Sequence, residues 1–169
     1  EDEDVLRRLV SLLADKERPE EAVVYLERLR RLVSEDRESL EMVAERYEEL
    51  EYPQEAVESY DLLLALSPAE ARYHFAQARL LLTTIGDERR GLAALEEALQ
   101  RGYSDEEAIR ELLNSEELVA PVEVEDLLDE RGLLPEEQPE GEESGEESGE
   151  AATSDGEGAP SGDDAAGEE

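Results

Sequence analysis

The chain has 169 residues, with 50 Asp and Glu against 16 Lys and Arg, a formal net charge of −34 and no cysteine. The charge is uneven: residues 136–169 hold 14 acids and no base, which leaves 36 acids and 16 bases, a net −20, in residues 1–135. These numbers exclude disulfides and thiolate metal or nucleophile sites. So negative a surface repels phosphates and argues against nucleic acid as a partner, and no apolar run reaches the ~18 residues of a membrane span.

A start at Glu1 rather than Met fits a trimmed chain or a removed leader or anchor, and the expected setting is the bacterial cytoplasm or periplasm. From there the apolar residues recur at helical spacing. Leu6, Leu9, Val10 and Leu13 share one helix face, and Ala22, Val23, Leu26, Leu29 and Val33 share another. Pro19 suits the first turn of the second of these helices, where a missing N–H costs nothing.

The same hairpin returns 34 residues later. Arg18-Pro19-Glu20-Glu21-Ala22-Val23 aligns with Tyr52-Pro53-Gln54-Glu55-Ala56-Val57, and Leu6, Leu9, Val10 and Leu13 align with Leu40, Val43, Ala44 and Tyr47. A third copy carries His74, Gln77, Ala78 and Leu81 at the same offset. Gly91, Leu95, Ala98 and Tyr103 follow at an offset of 35. One extra residue therefore lies between 82 and 90, near Gly86-Asp87, where Asp87 is a predicted N-cap. Small residues at 22, 44, 56 and 78 fall where helices cross closely. Hairpins of this kind bury their apolar faces only by stacking.

The period, together with Tyr47, Ala56, Tyr60, Pro68 and the turn before Ala56, resembles a tetratricopeptide repeat. The resemblance covers residues 3–105, as copies at about 3–36, 37–70 and 71–105. It departs from the pattern at Ser34, Gly91 and Tyr103. It implies an all-α fold, an α-solenoid of three hairpins whose first helices line a concave face. It also implies a scaffold for protein contacts.

Beyond the repeats, residues 106–134 break the period. Ser104 or Asp105 caps a helix reaching about Asn114, with Glu107 placed for a capping box from Ser104. Val122, Val124, Leu127 and Leu128 predict a short helix stopped by Gly132. The expectation is a capping element that closes residues 3–134 into one domain. Residues 135–169 contain no Val, Ile, Leu, Met or aromatic residue. Such a segment cannot bury enough apolar area to offset its ordering entropy, so a disordered acidic tail is expected.

No catalytic, cofactor or metal constellation is legible. His74 is the single histidine, at a position equivalent to Leu6 and Leu40, and no Gly-rich phosphate loop is present. The expected function is a non-enzymatic adaptor that binds a peptide or subunit on the concave face. Its candidate groove residues are Arg7, Ser11, Glu41, Glu45, Glu48, Arg72, Phe75 and Arg79. The acids in the middle favour Lys or Arg in the ligand, and Phe75 and Arg79 are read as a pair that stacks on a ligand side chain. The family's carboxylate-gripping positions fall on Arg7, Ser11, Met42, Arg72 and Ala76. Only Arg7 and Arg72 suit that role, so such a clamp is rejected. The alternative function is a polyanion whose tail captures a basic partner. One Lys against fifteen Arg also fits adaptation to high salt, where charge is screened.

Overall fold

The computed structural model describes residues 2–16 and 18–135; the reading of 136–169 as a disordered tail falls outside them. Among the described residues every regular element is helical. The helices are α1 (Glu3–Asp15), α2 (Pro19–Leu32), α3 (Arg37–Glu49), α4 (Pro53–Leu66), α5 (Ala71–Leu80), α6 (Glu88–Gln100), α7 (Glu106–Leu113) and α8 (Pro121–Asp129). A π-helical turn, Leu81–Ile85, continues α5.

Helices α1, α3 and α5 begin at Glu3, Arg37 and Ala71, two steps of 34 residues. Each pairs with the helix that follows it. Ala22, Ala44, Ala56 and Ala78 are fully buried, which lets backbones approach at the crossings. Pro19 and Pro53 sit in the first turns of α2 and α4. The Asp87 carboxylate accepts the Arg90 N–H at the start of α6.

The extra residue of the third copy is absorbed by the π turn. A π turn holds one residue more than an α turn, so the helix widens in place of looping out. The widening has a packing result. Leu80, Leu81 and Leu82 are consecutive and all buried, which an α-helix facing one core does not allow. Leu80 and Leu81 join the core of the first two hairpins. Leu82 joins a second core with Phe75, Leu95, Leu99, Ile109, Leu112, Val124 and Leu128.

Gly91 follows from the same turn. A Cβ at this position falls 2.5 Å from Leu82 Cγ and 2.7 Å from Leu82 Cδ2. The Ala that the repeat pattern expects there does not fit beside the widened helix.

Helices α7 and α8 cover the end of the third hairpin. Ile109, Leu112, Val124 and Leu128 enter the second core, and the Val119 N–H donates to the Leu82 carbonyl at 2.8 Å. Asp105, not Ser104, caps α7, accepting from the Glu107 and Ala108 N–H groups. The capping box from Ser104 is therefore not formed; Asp105 offers a carboxylate one residue closer to the first turn. Gly132, with φ +65°, follows α8, and the Leu133 N–H closes back on the Leu128 carbonyl.

Among the described residues nothing covers the opposite end of the array in this way. Val5 is 59% and Leu12 53% exposed, whereas Tyr73 and Leu80, two periods later, are 2% and 4% exposed. The Val5 position is buried in both later copies, as Ser39 and Tyr73, and the Leu12 position in the third, as Leu80.

Candidate functional site

The first helices of the three hairpins meet side by side, joined by polar pairs. Between α1 and α3, Arg7 bonds both Glu3 and the buried hydroxyl of Ser39. Ser39 in turn bonds the Asp36 carboxylate, and this hydrogen bond holds Asp36 below its ordinary pKa. Between α3 and α5, Arg72 Nη2 lies 2.6 Å from Glu41 Oε1. The Tyr73 hydroxyl donates to the same carboxylate, and the Arg72 guanidinium lies 4.8 Å over the Tyr73 ring. Further along, Arg79 pairs with Glu48, and the Tyr60 hydroxyl donates to Glu48 at 2.8 Å.

The expected groove residues are thus mostly assembled, but with each other. Arg7, Glu41, Glu48, Arg72 and Arg79 are engaged in pairs, and Ser11 is half-buried on α1. Glu45 differs. It is exposed on α3, and among the described residues no Lys or Arg lies within 4.0 Å of it. A pocket of 190 Å³ opens beside it, lined by Glu41, Glu45, Tyr60, Arg72, Tyr73 and Ala76.

Phe75 is a correction. It is 3% exposed and stacks on Tyr103, with ring centroids 4.1 Å apart and planes at 11°. It therefore takes no part in a groove and does not pair with Arg79. The cause lies in the repeat register. Arg7, Glu41 and Phe75 hold the same position in successive copies. In the first two copies that position contacts the next hairpin, through Ser39 and through Arg72 and Tyr73. In the last copy it faces Tyr103 and the second core, so an apolar ring replaces the charge.

Sequence periodicity missed Tyr60 and Tyr73 as pocket walls. Their signal was position: Tyr73 lies one period after the buried Ser39, on the surface that meets the preceding copy. His74 is half-buried, with Nε2 3.1 Å from the Pro68 carbonyl oxygen.

Burial raises Tyr47, Tyr60, Tyr73 and Tyr103 above the ordinary tyrosine pKa of 10. For Tyr60 and Tyr73 the bonded carboxylates Glu48 and Glu41 add to that effect. For Tyr47 burial acts against the opposing charge of Arg30. Tyr103 is pushed up to about 12, by burial first and the Asp105 charge second. A raised folded-state pKa contributes stability that is complete below pH 10 and is lost as pH rises toward the folded values. The urea midpoint is therefore expected to hold flat from pH 7 to pH 10 and to fall between pH 10 and 12. Absorbance at 295 nm should show the folded chain ionising its tyrosines later than the urea-unfolded chain. Coincident titration curves would remove the buried-tyrosine account.

No protein-family model matches the chain, and no curated protein matches it. Among solved structures, the crystal structure of MamA, a protein with tetratricopeptide repeats, is similar to it. The TM-score is 0.53 at 16% sequence identity, and the match covers 78% of this chain and 72% of that one. No described helix is long and apolar enough to cross a membrane. The hairpins that step by 34 residues and the likeness in three dimensions together give the chain a tetratricopeptide-like α-solenoid fold.

Proposed function

We propose that the chain is a non-enzymatic scaffold that holds a segment of another protein on the face formed by α1, α3 and α5, and that this segment carries a Lys or Arg. The fold supports the general role, since stacked hairpins present extended surfaces for protein contacts. One observation carries the specific reading: among the described residues Glu45 has no ion-pair partner beside the α3–α5 pocket, while Glu41 and Glu48 near it are already matched by Arg72 and Arg79. With Tyr60 and Tyr73 as walls, the pocket offers a carboxylate and aromatic surface to an incoming cation. A charge-assisted hydrogen bond contributes about 1.5–3 kcal/mol, equivalent to a tenfold or greater change in affinity.

The test is selection of short peptides from a random library on the full chain, repeated with Glu45→Lys. Lys- or Arg-bearing peptides should be enriched, and Glu45→Lys should weaken them at least tenfold. Equal binding to both chains would remove the pocket from the account. The second reading, capture of a basic partner by the acidic segment 136–169, is favoured by its 14 carboxylates without a single cation. Deleting 136–169 separates the two: it abolishes binding in the second reading and leaves it intact in the first.

A further inference from the structure

A second groove lies elsewhere on the array, between α6 and α8, with a volume of 380 Å³. Its floor is apolar, formed by Leu92, Ala93 and Leu127. Its rim is Glu96 from α6, Glu123 and Asp126 from α8, and Glu130, the C-cap residue just past α8. Among the described residues no Lys or Arg lies within 4.0 Å of any of these four carboxylates. They do not converge as a metal site either, since no cluster of the described residues is arranged to hold a metal ion.

The molecule shows what such a groove takes. Between α2 and α4, helix α4 presents Glu58 and Asp61, and α2 answers with Arg30 and Arg31. The Arg30 side chain is only 13% exposed and bridges Glu27 at 2.7 Å and Glu58 at 2.8 Å. Helix α6 presents Glu96 one period after Asp61. There the facing helix answers with three more acids. The like charges repel across a strip of uncovered apolar surface. On the α3–α5 face Glu41 and Glu48 have arginines of their own, Arg72 and Arg79, so the crowding of four unmatched acids here is local and does not merely follow from the net charge.

We infer that the α6–α8 groove docks a basic amphipathic helix of another protein, with apolar side chains on Leu92, Ala93 and Leu127 and Lys or Arg side chains taking the place that Arg30 fills between α2 and α4. Glu123, Asp126 and Glu130 sit at i, i+3 and i+7 along α8 and its C-cap, two turns and about 10 Å. The partner helix carries its cations at matching intervals on both sides of an apolar stripe. A second copy of this chain is a poor occupant, because its net charge of −34 opposes approach to an acidic rim. The groove is separate from the α3–α5 pocket, so this inference stands or falls independently of the function proposed above.

The test uses the full chain and a synthetic 14-residue helical peptide with Arg at i, i+3, i+7 and i+10 beside a Leu/Ala stripe. A scrambled peptide of identical composition is the control. Binding is followed by fluorescence anisotropy at 150 mM salt and by amide chemical-shift mapping. The patterned peptide should bind at least tenfold more tightly than the scrambled one and should shift amides of residues 92–96 and 123–130. The double reversal Asp126→Lys and Glu130→Lys, at exposed positions, should weaken it at least tenfold with the melting temperature preserved. Equal binding of both peptides, shifts confined to 136–169 or to α3 and α5, or indifference to the double reversal would each overturn the assignment. Should the double variant fold poorly, the shift map of the unmodified chain decides alone.

Discussion

Replacing Leu82 with alanine is expected to cost about 2–5 kcal/mol of folding stability, the range for removing a fully buried leucine. The expected cost drops when Gly91 is alanine. Gly91→Ala alone should destabilise by up to about 2 kcal/mol. The methyl group meets Leu82 at 2.5 Å, and overpacking of this kind costs about 1–3 kcal/mol, which the helix preference of Ala over Gly offsets by about 1 kcal/mol. Once Leu82 is truncated, that methyl enters the space left behind. The double variant should therefore be more stable than the sum of the single variants predicts, by about 1 kcal/mol or more. Urea unfolding of the four chains, followed by helical circular dichroism, measures the cycle. Strict additivity would show that the π turn and the glycine are not adapted to each other.

Phe75→Ala is expected to cost about 3–5 kcal/mol, as for other buried aromatic rings, with loss of the stack on Tyr103 within that figure. The same variant separates the two readings of this residue. As a groove residue, Phe75 is dispensable for folding and essential for ligand contact. As a core residue, it lowers the unfolding midpoint when truncated, and library peptides selected on the α1–α3–α5 face still bind the folded fraction of the variant. Phe75→Leu should recover most of the stability, because a leucine retains much of the buried apolar area. A midpoint within experimental error of the unmodified chain for Phe75→Ala would return the residue to the surface.

Much of this fold is legible from residue spacing. The recurrence of Leu6, Leu40 and His74, with Pro19 and Pro53 at helix starts, locates three hairpins before any coordinate is known, because helical faces and turns are local properties of the chain. The offset change from 34 to 35 also locates an insertion. What spacing does not show is the form the insertion takes. A loop and a widened helix hold the same number of residues, and only the burial of Leu80, Leu81 and Leu82 together distinguishes them. Gly91 is unexplained by sequence for the same reason, since its cause is a leucine nine residues away across a helix pair.

The candidate site is legible in composition and not in pairing. Glu41, Glu45, Glu48, Arg72 and Arg79 lie on neighbouring first helices, as the periodicity indicates. Which carboxylate remains free depends on contacts between helices about 30 residues apart, such as Arg72 with Glu41 and Arg79 with Glu48. Phe75 was misplaced because a helical wheel places it opposite the core stripe. The wheel contains no Tyr103. A change from Arg7 and Glu41 to an aromatic at the same position of the last copy was the available signal that the neighbour on that side had changed.

The π turn has a further consequence for how the molecule holds order. An array with contacts only between adjacent modules loses them one layer at a time from its ends. Here three successive side chains on one strip of backbone are divided between two interiors, and the carbonyl of the third, Leu82, anchors the segment leading into α8. Loosening that strip draws a side chain out of each interior at once. Melting on either side is therefore expected to spread to the other. Faster amide exchange in α3 and α4 after truncation of Leu82, a residue of the other interior, is the expected mark of that coupling.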